Sequence, residues 1–354
     1  MKNRLFGRTG LRVSELWLGT MTFGEDWGWG ASKPESRRIF DAYAKAGGNC
    51  IDTANHYTNG TSEKFVGEFT ASERQRFVIS TKYTLSGRPD DPNAGGNHRK
   101  SLVQSLEGSL KRLGTDYIDV YWVHAWDQLT PVEETMRALD DQVRLGKVLY
   151  VGFSDAPAWV VSQANTMAAL RGWSPFAGIQ VQYNLAERTP ERELLPMAKA
   201  LGLAVTAWSP LAGGVLTGKY NKSTQEPKRL TPDSPLYAAL VNERSTSIAD
   251  EVLELAHQAG RTPSQVALNW LRQRQVAGNV MPILGCRSEK HAQDNLGCLD
   301  FELSADDIAR LDEASRIRLG FPGDFLASSF VRGLVYGNTF EKTEAPREPV
   351  GAGR

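Results

Sequence analysis

The sequence predicts an α/β protein of the (β/α)8 TIM-barrel class, with an N-terminal hairpin before the barrel and a C-terminal tail over the active-site mouth. Three observations predict it. Short runs of β-branched and aromatic residues alternate with longer stretches of helical periodicity along the whole chain. Several of the short runs are almost continuously apolar, as parallel strands covered on both faces are. The pattern G-x-G-x-x-G, which opens the first turn of a doubly wound dinucleotide domain, occurs nowhere. Alternation alone fits either a barrel or an open doubly wound sheet. Regular spacing without a dividing Pro/Ser-rich linker favours the barrel.

The elements follow in order. Arg4–Phe6 and Leu11–Val13, joined through Thr9-Gly10, form the hairpin. Strands are expected at Leu16–Gly19, Asn49–Asp52, Phe77–Lys82, Ile118–His124, Val148–Ser154, Ile179–Tyr183, Ala204–Trp208 and Val280–Leu284. Helical patterns cover Pro34–Ala46, Lys100–Leu113, Pro131–Leu145, Ala158–Leu170, Pro190–Leu201 and Ser264–Arg274. Pro131 sits where a first-turn proline belongs, and Asp155 followed by Pro157 marks a helix start. Gly47-Gly48, Gly114, Gly146 and Gly202 fall just past helix ends, where a left-handed residue is wanted. A bare barrel needs about 250 residues. The spare length falls in Gly87–Asn97, Gly218–Ser247 and the tail from Arg316, so one domain over 1–340 and a flexible tail over 341–354 are expected.

Lys plus Arg and Asp plus Glu both number 41, giving a formal charge of zero. Nucleic acid or an anionic membrane as main partner would need a basic excess, and neither is expected. Three cysteines in a chain of this length do not make a disulfide scaffold. MKNRLFGRTG has no apolar run behind its basic residues, and no stretch approaches a membrane span. A cytoplasmic enzyme is the resulting expectation.

Chemistry in a barrel sits where strands run out at their C-terminal ends. Asp52 closes Cys50-Ile51-Asp52, with Tyr57 in the loop beyond; Lys82 closes the next strand and His124 the one after. Taken singly, each has an ordinary structural explanation: turn residue, solvated lysine, surface aromatic, packed histidine. Together they make a chemical set. A buried lysine needs a carboxylate partner. A cation beside a phenol lowers a pKa that is otherwise about 10. Such a tyrosine protonates a developing alkoxide, and a neighbouring histidine orients the carbonyl oxygen. The set suits hydride addition to a carbonyl, which requires a hydride source. No metal-ligand spacing is present, and no metal is expected.

The stretches LGTMTFG (18–24), IDTANHY (51–57), STKY (80–83), YWVHAWD (121–127), GFSDAPAW (152–159), IQVQYNL (179–185), AWSPLAGG (207–214) and LGCRSEKHAQDN (284–295) resemble the aldo-keto reductase superfamily, in order from Asn3 to Ser315. More narrowly, they resemble its branch related to aryl-alcohol dehydrogenases and potassium-channel β subunits. The resemblance implies a barrel that binds NADPH in extended form and reduces an aldehyde or ketone. It implies Tyr57 as general acid, Lys82 lowering its pKa, Asp52 pairing with Lys82, and His124 orienting substrate. For the cofactor it implies Gly19, Thr20 and Met21 near the reactive ring, Ser154 and Gln180 on the carboxamide, and Trp208 stacked on the nicotinamide. Ser209, Pro210, Leu211 and Gly213 follow the pyrophosphate, with Lys219 and Arg229 supplying positive charge. Gly285, Arg287, His291, Asp294 and Asn295 match the segment around the adenosine end.

Two positions depart from the family pattern. Asp155 stands where the family often has Asn; as a carboxylate it accepts a carboxamide N–H or caps the following helix. His291 stands where this branch commonly has Gln; with Arg287 it keeps an anion-binding fork for a 2′-phosphate, favouring NADPH over NADH. GGVLTGKY (213–220) nearly matches a P-loop, but Tyr220 offers no hydroxyl for magnesium where Ser or Thr belongs. Phe23, Trp27, Trp29 and Trp126 are candidate substrate walls for a small-molecule carbonyl compound, with Phe321, Phe325 and Phe330 closing from the tail. Two other roles fit the pattern: a redox-sensing regulatory subunit that binds NADPH with little turnover, and a non-redox barrel enzyme.

Overall fold

A computed structural model of the chain describes residues 1–221, 230–234, 237–274, 278 and 280–343. β1 (Asn3–Leu5) and β2 (Arg12–Ser14) form the antiparallel hairpin. Eight parallel strands follow: β3 (Trp17–Gly19), β4 (Cys50–Asp52), β5 (Val78–Tyr83), β6 (Ile118–Val123), β7 (Val148–Ser154), β8 (Phe176–Gln182), β9 (Ala204–Trp208) and β10 (Val280–Gly285). Each pairs with the next, and β10 returns to β3, so the barrel closes and leaves no open edge.

One helix follows each of the first six barrel strands: α1 (Lys33–Lys45), α2 (Thr61–Thr70), α3 (Arg99–Leu113), α4 (Val132–Arg144), α5 (Ala158–Arg171) and α6 (Leu194–Leu201). Between β9 and β10 lie α7 (Tyr237–Leu240), α8 (Glu243–Ala259) and α9 (Pro263–Gln273). After β10 come α10 (Glu289–Leu296) and α11 (Ala305–Ala314), and the tail carries α12 (Gly323–Ala327) and α13 (Ser329–Tyr336).

Strand alternation divides the apolar residues between two cores. Outward-facing Ile51, Ile79, Tyr83, Tyr121 and Val123 pack against the helices. Inward-facing Trp17, Cys50, Val78, Val120, Trp122 and Met281 fill the barrel. The hairpin closes the floor of that inner core: Phe6 is fully buried, 5.9 Å from the ring of Trp17 and 6.0 Å from that of Trp122. Gly152 leaves room for the indole of Trp122, because a Cβ there would stand 2.3 Å from the ring. Above this apolar floor, the same inward positions turn polar at Asp52, Ser80, Lys82, Ser154 and Gln180.

The eight barrel strands fall where the sequence places them, within three residues at each end. β8 starts at Phe176 rather than Ile179, because Ala177 and Gly178 pass beneath Phe6 and join the ladder. Pro131 caps α4 instead of occupying its first turn. Pro157 directly precedes α5 without a side-chain cap, so Asp155 does not start that helix as a capping residue. Helix α8 begins inside Gly218–Ser247, which the sequence reading treats as loop. Its apolar face of Ile248, Val252 and Leu255, capped by Asn242, makes it a packed element. Helices α2, α10 and α11 are likewise additions to the sequence reading.

In the tail, Arg192 donates to the carbonyl of Arg318 and Arg244 to those of Ser315 and Arg316. Phe321 and Phe330 remain 86% and 67% exposed, so these rings do not seal the mouth. The expected flexible segment 341–354 lies outside the described residues from position 344 onward.

The floor and the mouth are at opposite ends of the strands. Phe6→Ala therefore removes about 3–5 kcal/mol of stability, read as a lower urea midpoint, while the kcat of the folded enzyme stays within twofold of wild type.

Candidate active site

Lys82 is the inward residue at the end of β5, and its side chain is fully buried. Its three N–H donors are all engaged: Asp52 Oδ2 at 2.5 Å, the carbonyl of Thr53 at 2.8 Å and Tyr57 Oη at 3.2 Å. The other Asp52 oxygen, Oδ1, accepts from Ser80 Oγ at 2.7 Å and Gln180 Nε2 at 3.1 Å. Burial pushes the Lys82 pKa down, but the charge of Asp52 and the neighbouring Tyr57 overcome it, and the ammonium is held above its usual value.

Tyr57 is placed by a strained turn. Thr58 and Asn59 both have positive φ, at 45° and 53°, followed by Gly60 at 91°. Non-glycine residues in that region cost of order 1–3 kcal/mol each and persist where neighbours hold them. Here Thr58 Oγ1 donates to the carbonyl of Phe23 at 2.7 Å and accepts from Ser62 N at 3.1 Å. Beneath the turn, buried Glu63 takes Thr81 Oγ1 at 2.6 Å and Arg112 Nε at 2.5 Å. The aliphatic part of Arg112 fills the space at Gly60, where a Cβ would lie 2.7 Å from its Cδ.

Desolvation raises the Tyr57 pKa, and the opposing pull of Lys82 does not cancel it. The sequence reading expects the reverse. Lys82 does act in the expected direction, but burial of the phenol and the charge of Asp52 outweigh it, so the hydroxyl stays protonated at neutral pH. His124 lies edge-on to Tyr57, with ring centroids 5.9 Å apart. Burial, then Lys82 and His56, hold its imidazole well below its usual pKa and therefore neutral.

Across the mouth, Ser154 Oγ is buried with no hydrogen-bond partner among the described residues. Gln180 bonds directly to Asp52, so this amide is part of the same network. Asp155 takes φ = 40° and aims its carboxylate at β9, where Oδ1 accepts from Trp208 Nε1 at 3.0 Å.

Beyond Trp208 the backbone is left-handed at Ser209, Ala212, Gly213 and Gly214. Pro210 is buried and Leu211 half-buried within this loop. Ser209 Oγ accepts from Gly213 N at 3.1 Å, and Asn184 Nδ2 donates to the Ser209 carbonyl at 2.9 Å. A Cβ on Gly214 would stand 3.2 Å from Lys219 Nζ, so the ammonium folds back over this turn. Partial burial, then the charges of Arg287 and Lys219, lower the pKa of His291 against the opposing charge of Asp294. Glu35 accepts from the backbone N–H of Glu289 at 2.6 Å, and Ser288 Oγ from that of His291, so two backbone donors at the start of α10 are already used. Gly285 faces open space.

Other expected residues have structural duties. Thr20 Oγ1 holds the Asp52 carbonyl at 3.0 Å and meets Ser62 Oγ at 2.7 Å. Gly19 packs against Ile283 and the Leu284 carbonyl, and Met21 is half-buried beside it. Asp294 bonds to Gln265 Nε2 at 3.2 Å, and Asn295 Nδ2 to Cys286 Sγ at 3.4 Å. Arg229 lies outside the described residues. Phe23 is a correction: its ring is fully buried, 6.2 Å from that of Phe69, and belongs to the core behind the mouth. Trp27 lies with its ring 5.7 Å from both Trp29 and His56. Trp126 stands edge-on to Trp159 at 5.3 Å, and its backbone N–H donates to the Asp155 carbonyl. Ser80, Glu63, Arg112 and His56 escape the sequence reading. Ser80 alone left a usable signal, two residues before Lys82 on the same strand face.

The sequence profile of the aldo/keto reductase family matches residues 15–316. The chain belongs to this family. It is 38% identical to an aryl-alcohol dehydrogenase of Pestalotiopsis microspora over 334 residues, covering 91% of this chain and 84% of that one. A norsolorinic acid reductase of Aspergillus flavus is 36% identical, with 91% and 83% covered. An NADP(+) aryl-alcohol dehydrogenase of Phanerodontia chrysosporium is 36% identical, with 88% and 85% covered. As an aldo/keto reductase the chain is an oxidoreductase that acts on small-molecule carbonyl compounds with a nicotinamide cofactor. No helix among the described residues is long and apolar enough to cross a membrane.

Replacing Lys82 by Met leaves Asp52 as an uncompensated buried charge, which costs about 3–5 kcal/mol. Lys82→Met is thus expected to shift the urea midpoint sharply downward. Adding Asp52→Asn is expected to recover part of that loss, since the remaining amide carries no charge; a double variant no more stable than the single one counts against the pairing.

Proposed function

We propose that this aldo/keto reductase reduces an aldehyde or ketone to the alcohol with NADPH, using Tyr57 as general acid. The observation that carries this reading is the unbroken chain Asp52–Lys82–Tyr57, buried at one end and opening into the mouth at the other. The cofactor fits the residues present. Ser154 offers a buried hydroxyl with no hydrogen-bond partner among the described residues, suited to a carboxamide. Gln180 is oriented beside it through Asp52. Trp208 supplies a flat apolar face for the nicotinamide, and Lys219, Arg287 and His291 suit phosphate groups, including one on the 2′ position.

Bound there, the cofactor supplies the hydride. Tyr57 Oη gives its proton to the carbonyl oxygen as negative charge develops on it. Lys82, 3.2 Å away, stabilises the phenolate left behind, and Asp52 keeps Lys82 charged and in place. His124, neutral, orients the same oxygen by hydrogen bonding. Trp27 and Trp29 form an aromatic wall beside His56, which suits a ring-bearing carbonyl compound. The aryl-alcohol dehydrogenases among the relatives agree with that chemistry.

Tyr57→Phe is expected to lower kcat for reduction by about 10²–10⁴ while the Kd for NADPH changes less than threefold. Retained turnover sinks the acid assignment. The pH dependence follows from the direction of the two shifts. Reduction needs protonated Tyr57, whose pKa is raised above 10, and neutral His124, whose pKa lies well below 6.5. The kcat for reduction is therefore expected to stay level through neutral pH and to fall only on the strongly alkaline side. Cofactor choice has its own measurement. Arg287→Ala removes a charged contact and is expected to raise the KM for NADPH by about 10- to 100-fold, with the KM for NADH nearly unchanged.

A further inference from the structure

Asp155 is a carboxylate placed, at some backbone cost, where a capping residue would be. It follows Ser154 at the end of β7, and its φ of 40° turns the side chain away from α5. Its backbone is pinned on both sides: the N–H donates to the Gln180 carbonyl at 3.3 Å, and the carbonyl accepts from Trp126 at 3.3 Å. The carboxylate meets Trp208 Nε1 at 3.0 Å. Among the described residues it makes no salt bridge, while the neighbouring charges are already matched. Lys82 is paired with Asp52 at 2.5 Å, Tyr57 is protonated and His124 is neutral. Desolvation raises the Asp155 pKa against the opposing pull of the Trp208 hydrogen bond and of Lys82, and the Asp155 charge in turn adds to the raised pKa of Tyr57. The mouth thus carries one negative charge in excess, at the edge of the indole on which the nicotinamide rests in the function proposed above.

A nicotinamide ring is cationic when oxidised and neutral when reduced. A fixed anion beside it distinguishes the two states, whereas an amide side chain in the same place does not. We propose that Asp155 acts as a positioning residue with two tasks: its hydrogen bond sets the plane of Trp208, and its charge makes the site hold the oxidised cofactor more tightly than an Asn in its place would. This rests on the cofactor reading above. The equilibrium in solution is unaffected; what shifts is the balance between the two bound forms, towards the one that accepts hydride from an alcohol. The enzyme is then built to run in both directions, with slower release of oxidised cofactor in the reductive one.

The test uses the full-length enzyme and isothermal titration with NADP+ and NADPH, without substrate. Asp155→Asn retains an acceptor for Trp208 Nε1 and removes only the charge. The expected result is a fall of about five- to tenfold in the ratio Kd(NADPH)/Kd(NADP+). Asp155→Ala removes both functions, and weaker binding of both forms is expected. The pH profile gives a second reading: without the anion, the alkaline limb of reduction in Asp155→Asn moves to lower pH. A wild-type Kd ratio together with an unmoved limb in Asp155→Asn would overturn the charge assignment while leaving the cofactor reading intact. No binding of either form to the wild-type protein would overturn both.

Discussion

The Asp52–Lys82 pair is the constraint on which the site depends. A fully buried ammonium is tolerated only when its donors are all used and its charge is matched. Lys82 meets both conditions through a carboxylate, a backbone carbonyl and a phenol. Those three acceptors come from β4 and the loop after it, so satisfying one side chain of β5 fixes the position of the next loop. Tyr57 is held in place because Lys82 has a third N–H to satisfy. Ser80 and Gln180 then saturate the second oxygen of Asp52, which extends the same requirement to β8.

The barrel makes this possible by separating two environments along its axis. Inward positions near the floor are apolar and sealed by Phe6, Trp17 and Trp122. Two residues further along the same strands, inward positions become polar, as at Asp52 after Cys50 and Ser80 after Val78. The floor excludes water from below, so the ion pair sits in a region of low dielectric, where both its attraction and its desolvation are strong. Around the outside, the hydroxyls of Thr20, Thr53 and Ser62 join β3, β4 and α2 at distances of 2.7–2.9 Å. That relay fixes the end of β4, from which Asp52 projects.

The fold was largely legible because barrel strands carry a strong signal: apolar runs, bounded by turns, at regular intervals. Asp52, Lys82 and His124 were readable for the same reason, as polar residues ending apolar strands. Tyr57 carried a weaker signal, its place in the loop just beyond Asp52, since a tyrosine in a loop has no periodicity to mark it. What stayed hidden depends on tertiary geometry. Phe23 looks like a mouth residue by its position after β3, but the loop doubles back and buries it against Phe69. Helix α8 lies in a stretch that reads as an insertion, because it begins after turn-forming residues and its apolar face emerges only from Ile248 onward. The direction of the Tyr57 shift was hidden too. Sequence names the partners of a phenol but not the depth at which it is buried, and here depth prevails over the partner's charge.

The two carboxylates of the mouth show how location assigns function to the same chemical group. Asp52 is buried and matched by Lys82, so its charge is spent locally and its effect is to hold a geometry. Asp155 is anchored by a neutral indole N–H, so its charge stays available to whatever lies next to Trp208. A similar division exists among the cations. Arg112, Arg188 and Arg272 are paired with buried glutamates and hold elements together. Arg287 and Lys219 instead act on His291 of α10, lowering its pKa against the opposing charge of Asp294. A chain with no net charge thus carries a carboxylate beside Trp208 and basic side chains acting on His291. In the function proposed above, an extended dinucleotide with a ring that becomes cationic and a tail of phosphates has the complementary charges, and that match would set the orientation in which it enters.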